Sequence, residues 1–110
     1  MLVFKTDDFN GTKLLDSRSV LAVFYAGWCP FCRSFLKLFE AVMKEKSDPL
    51  GAMVDISDMN DSLWETFNVD IVPTLVGFRN GEIVVRKDGV AGAGLGKAGL
   101  DDALREMGRT

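Results

Sequence analysis

Residues 20–46 read VLAVFYAGWCPFCRSFLKLFEAVMKEK, and the two halves of this stretch carry different periodicities. Val20 to Ala26 is apolar at every position, the pattern of a strand covered on both faces, as in the centre of a parallel sheet. From Cys29 to about Lys46 the apolar residues Cys32, Phe35, Leu36, Phe39, Val42 and Met43 recur at three- and four-residue steps, while Arg33, Lys37, Glu40, Lys44 and Glu45 take the other face. That predicts an amphipathic helix. Asp48-Pro49 ends it, because the residue before a proline is pushed out of the helical region.

Outward from this core, Leu2 to Lys5 reads as a short strand. Asp7, Asp8 and Asn10 are helix-start residues for a helical segment ending near Ser17, with Gly11 counting against it. Ala52 to Ile56 is another apolar strand, and Asn60 to Phe67 a short helix with a Ser62-x-x-Glu65 capping pattern and a Leu63/Phe67 pair. After Pro73, the runs Thr74 to Phe78 and Ile83 to Val85 flank Arg79-Asn80-Gly81-Glu82, and Asn-Gly between two apolar runs predicts a hairpin. Leu100, Ala103, Leu104 and Met107 mark a final helix. The order predicts an α/β fold: a central mixed sheet of four to five strands, parallel where helical crossovers join strands and antiparallel at the hairpin, with helices on both faces.

A chain of 110 residues builds one core, so residues 1–110 are expected to form one domain. Hydrophobic residues at 47% and charged residues at 26% are near globular averages and argue against disorder. The net charge of −3 provides no basic field for nucleic acid. The chain has no histidine, which excludes Cys-His and Ser-His-Asp catalysis and Cys2His2 zinc binding. The opening residues hold the acidic pair Asp7-Asp8 and no apolar core of signal-peptide length, and the longest apolar run falls far short of the roughly 20 residues needed to span a bilayer. A soluble, cytoplasmic monomer without membrane contact is expected. Gly94-Leu-Gly96-Lys-Ala-Gly99 matches G-x-G-x-x-G but has no room after it for a βαβ unit, and reads as a flexible lead-in to the last helix. Asp58 and Asp61 read as caps and solvated loop, and Trp64 has no evident role.

The chemistry sits at Cys29-Pro30-Phe31-Cys32. As a structural staple, so short a loop would contribute only about 2 kcal/mol, against roughly 3 kcal/mol for a 15-residue loop. Tetrahedral zinc wants four ligands, and two thiols without histidine do not supply them, so no metal is expected. Redox chemistry fits the spacing better, because both sulfurs fall on the first turn of a helix, close enough to form or break a bond with little backbone movement. With Cys29 at the N-cap, Pro30 takes the first helical position, where its fixed φ suits the helix and its missing N–H costs nothing. Unpaired backbone N–H groups and the helix dipole then favour a Cys29 thiolate, with Arg33 adding positive charge nearby. Cys32, one turn further in, is expected to be more buried. Cys29 therefore attacks and Cys32 resolves, and no cofactor is needed beyond a redox-active Cys29–Cys32 disulfide.

These residues resemble the thioredoxin family. Phe24-Tyr-Ala-Gly-Trp28-Cys29-Pro-Phe-Cys32, Val54-Asp55-Ile56, Phe67-Asn-Val69 leading to Ile71-Val72-Pro73-Thr74, Phe78-Arg-Asn-Gly81 and Gly89 keep the family's order and near-family spacing over most of residues 2–107. The resemblance implies the thioredoxin fold and thiol–disulfide exchange with protein disulfides, supplied by a reductase or thiol electron donor. It implies that Pro73 is cis and packs beside the cysteines, leaving the Val72 backbone to pair with an extended substrate segment. Trp28 would edge the active site and Phe31 lie on its rim, forming an apolar docking patch with Val72, Pro73 and Gly89.

Three departures from the family bear on direction and rate. Pro30-Phe31 stands where thioredoxins usually have Gly-Pro and resembles glutaredoxins and DsbA-type oxidases. Potentials run from about −270 mV for thioredoxin to about −120 mV for DsbA, and an intermediate value is expected. Val23 and Met53 occupy positions where many thioredoxins carry a buried Asp and a nearby Lys, so proton transfer at Cys32 is expected to rely on water and to be slow near neutral pH. Three alternatives stand beside this reading. One is a glutathione-dependent, glutaredoxin-like reductase, against which the Asn-Gly hairpin after Pro73 replaces the glutaredoxin Gly-Gly pair. The others are an iron–sulfur cluster shared by two chains through Cys29, and a client-docking domain with idle cysteines.

Overall fold

A computed structural model describes residues 1–109; Thr110, the last residue of the expected domain, lies outside the described residues. The elements in chain order are β1 (Leu2–Phe4), a 3-10 turn (Thr6–Asp8), β2 (Phe9–Asn10), β3 (Lys13–Leu14), β4 (Val20–Tyr25), α1 (Pro30–Met43), β5 (Leu50–Asp55), α2 (Leu63–Thr66), β6 (Thr74–Arg79), β7 (Glu82–Lys87) and α3 (Lys97–Met107). Five strands form one sheet in the order β1-β5-β4-β6-β7, parallel at β1/β5 and β5/β4 and antiparallel at β4/β6 and β6/β7.

The continuous apolar run of β4 is explained by its central place. Val20, Ala22 and Phe24 enter the core on one face and Leu21 and Val23 the core on the other, all fully buried. On the second face, α1 and α3 contribute Phe35, Phe39, Met43, Leu100 and Met107. On the first, Leu63 of α2 and Phe67 just beyond its end pack in, and the β2–β3 hairpin contributes Leu14. Asn80 and Gly81 make the predicted turn between β6 and β7 with φ of 53° and 80°.

Three sequence expectations are corrected. The helical segment of residues 7–17 is a 3-10 turn followed by the antiparallel β2–β3 pair, Phe9 opposite Leu14 and Asn10 opposite Lys13. Asp8 accepts the Lys5 N–H at 2.8 Å and so closes only one turn, and Gly11 at φ +59° reverses the chain. The hairpin gains what a solvated helix would not: the Phe9 ring lies 5.2 Å from that of Phe67 and 5.9 Å from that of Phe78. The capping pattern at Ser62 makes no side-chain bond; α2 begins at Leu63, whose N–H is accepted by Asp61 at 2.9 Å. Finally, α1 ends at Met43 rather than near Lys46, closing with a Lys46 N–H bond to the Met43 carbonyl before the Asp48-Pro49 bond, which is cis.

Candidate active site

β4 delivers the chain to the start of α1, and Cys29 is the N-cap of that helix, in extended conformation at φ −95° and ψ 118°. Pro30 occupies the first turn as expected. The Arg33 N–H donates to the Cys29 carbonyl at 3.3 Å, so the helical ladder begins at Cys29 itself and the amides of Phe31 and Cys32 precede it without an intrahelical partner. The two thiols are free. Cys29 retains 6% exposure and Cys32 has none. Burial pushes the Cys32 thiol up to about 12; a backbone hydrogen bond at Ala26 opposes the shift and a hydrogen bond with Cys29 adds to it.

Val72-Pro73 is cis, and the Cys29 thiol donates to the Val72 carbonyl at 3.6 Å, so chain segments about forty residues apart meet at the sulfur. Gly89 belongs to the same arrangement: a Cβ there would stand 2.5 Å from the Pro73 carbonyl oxygen, a separation no side chain tolerates. Trp28 and Phe31 flank the pair and are 53% and 42% exposed, large apolar groups left in solvent. Arg33 is exposed on the first turn of α1 and makes no ion pair among the described residues.

Val23 and Met53 lie among apolar neighbours. Val23 is fully buried between Met53 of β5 and Leu75 of β6, and Met53 is half-buried against the same cluster. Among the described residues the one buried polar side chain is Thr74, which donates to the Ile71 carbonyl at 2.6 Å, so no carboxylate lies in the core. Among the described residues no group of three or more His, Cys, Asp or Glu side chains is placed to hold a metal ion, and no helix is long and apolar enough to cross a membrane.

Two parts of the site were not legible as such. Gly94, the first glycine of the Gly94–Gly99 motif, closes a turn that starts at Val90, with Val90 N–H donating to Gly94 O at 2.9 Å and Gly94 N–H donating back at 2.7 Å, while Gly96 caps α3 and Gly99 lies within it. Gly94 packs against Phe31, whose Cβ would lie 2.7 Å from a Cβ at that position. Trp64 lies parallel to Trp28. The glycine spacing was the available signal for the first. For the second there was only a tryptophan without a place in the helical pattern.

A family model described as thioredoxin matches residues 1–104. Thioredoxin of Mycolicibacterium smegmatis is 35% identical over 102 residues, which are 90% of this chain and 91% of that protein. A probable protein disulfide-isomerase A6 of Medicago sativa is 34% identical over 84 residues, 74% of this chain and 23% of that protein. Among solved structures, Fasciola hepatica thioredoxin superposes with a TM-score of 0.70 at 27% identity, covering 84% of this chain and 83% of its own. Thioredoxin f2 of Chlamydomonas reinhardtii gives a TM-score of 0.74 over 99% of this chain and 94% of its own; at 20% identity it speaks to the fold.

Proposed function

This chain belongs to the thioredoxin family and is a thiol–disulfide oxidoreductase with Cys29 and Cys32 as its redox pair, and from that premise we propose that Cys29 is the attacking sulfur and Cys32 the resolving one. The Cys29 thiolate attacks one sulfur of a protein disulfide. The substrate S–S bond breaks, its other sulfur leaves as a thiolate and takes a proton, and a mixed disulfide links Cys29 to the client. Cys32 then loses its proton and attacks the Cys29 sulfur, releasing the second client thiolate. The client gains two electrons, the enzyme is left with a Cys29–Cys32 disulfide, and a reductase or thiol donor returns it to the dithiol. In reverse the same steps oxidise.

The observation that carries this assignment is the asymmetry of the pair: Cys29 caps the helix with some exposure, while Cys32 is fully buried with its thiol pushed up to about 12. Trp28, Phe31, Val72, Pro73 and Gly89 form the patch on which an extended client segment lies, its backbone pairing beside Val72. The protein acts as a monomer without a bound cofactor. Pro30-Phe31 supports a potential between thioredoxin's, about −270 mV, and DsbA's, about −120 mV. Cys32→Ser should accumulate a mixed disulfide with a protein client and Cys29→Ser should form none; adducts on Cys32 in the latter variant would reverse the roles. Equilibration of the parent with glutathione buffers measures the potential, and a value at or below thioredoxin's would remove the oxidising assignment.

A further inference from the structure

Trp28 and Trp64 are the only two tryptophans of the chain. Their rings are parallel, 9° apart in plane with centroids separated by 6.4 Å. Both indole N–H groups donate into one turn beyond β5: Trp28 Nε1 to the Ser57 carbonyl at 2.9 Å, and Trp64 Nε1 to the carbonyls of Ile56 at 3.0 Å and Asp58 at 3.2 Å. Three consecutive carbonyls are thus taken by the two rings. Ser57 is itself fixed, its N–H and hydroxyl donating to Asp55 Oδ1 at 2.8 and 2.5 Å while its oxygen accepts the Gly27 N–H at 2.8 Å. The two residues that precede Cys29 are therefore anchored to residues 55–58, and Trp64, half-buried against the core, braces the same turn from α2.

An indole as exposed as that of Trp28 has many rotamers open to it, and fixing one of them on binding opposes affinity. A parallel neighbour anchored to the same backbone turn removes that freedom beforehand. We propose that Trp64 is a specificity-determining positioning residue: stacked on Trp28, it holds that ring as a preformed apolar shelf beside Cys29 for the apolar side chain flanking a cystine in an extended protein segment. Trp64 acts through Trp28 and not on the sulfurs. The proposal rests on the oxidoreductase reading above and adds to it which client features the site selects.

The test is steady-state reduction of insulin disulfides with dithiothreitol as donor. Trp64→Leu keeps bulk and removes the flat face; Trp64→Phe keeps a face and removes the N–H. The expected result is a KM for insulin raised about fivefold in Trp64→Leu, with kcat within about twofold and Trp64→Phe closer to the parent, in keeping with the worth of an aromatic pair. In a Trp28→Leu background the same Trp64→Leu change should no longer move KM. The exciton couplet of stacked indoles in the parent's circular dichroism should vanish in Trp64→Leu. An unchanged KM in Trp64→Leu, an effect of equal size in the Trp28→Leu background, or a loss confined to kcat would overturn the role of Trp64. A parent inactive on insulin and on glutathione disulfide would instead overturn the oxidoreductase reading, and this proposal with it.

Discussion

With its thiol pushed up to about 12 by burial, Cys32 is almost wholly protonated near pH 7, and among the described residues no carboxylate lies in the core to take its proton. Its ionised fraction rises tenfold with each pH unit below that value. The mixed disulfide on Cys29 should therefore shorten in lifetime about tenfold per unit between pH 7 and 9, as measured by acid quench and alkylation; a lifetime independent of pH would count against Cys32 as the slow nucleophile. The sign for stability is the reverse. A thiol raised from 9.0 to about 12 in the fold stabilises the reduced protein below about pH 9, and that contribution is lost as pH rises from there to about 12. Gly94 differs from its neighbour Gly92 in what surrounds it. Gly92 and Gly94 both have positive φ, 75° and 69°, but a Cβ at 92 meets nothing within 4 Å whereas one at 94 meets Phe31. Alanine at either should cost about 1–2 kcal/mol through backbone conformation. Gly94→Ala should in addition displace Phe31 and raise the KM for insulin, which Gly92→Ala should not; equal kinetics in the two variants would show the Phe31 contact to be without consequence.

At the level of elements, legibility followed burial. β4 and α1 were readable because one is covered on both faces and the other on a single stripe, and both leave simple apolar periods. The cysteine pair was readable for the same reason, lying at the junction of the two. The segment of residues 6–14 was not, since its helix-start residues are local while most of the partners that decide its shape are distant: besides nearby Phe4, Phe9 meets Phe24, Phe67 and Phe78, which lie 15 or more residues further along the chain. Replacing that half-buried ring should be costly for so short an element. Phe9→Ala is expected to lower the unfolding free energy by about 2–4 kcal/mol, read from urea titration, and a loss under about 1 kcal/mol would mean that the hairpin contributes little to the core. The Trp64 clamp escaped the sequence in the same manner, because its hydrogen bonds run to backbone carbonyls, which sequence does not distinguish.

For the molecule as a whole, redox state and folding are linked by a cycle. Each 30 mV by which the folded pair is more oxidising than the unfolded pair removes about 1.4 kcal/mol of stability from the oxidised form relative to the reduced one. Closing the short Cys29–Cys32 loop restricts the unfolded chain by about 2 kcal/mol, so a pair with a raised potential should leave the oxidised form ahead by less than that. Urea titrations of the two forms measure the gap, and an oxidised form more stable by well over about 2 kcal/mol would contradict the raised potential. The paired indoles bear on how such changes can be followed. Since the chain has no tryptophan elsewhere, its indole emission originates entirely at the doorstep of the sulfurs. Quenching on oxidation, or a spectral shift when a client covers Trp28, is thus an intrinsic optical gauge of turnover and occupancy, with no dye attached and no background from the rest of the fold.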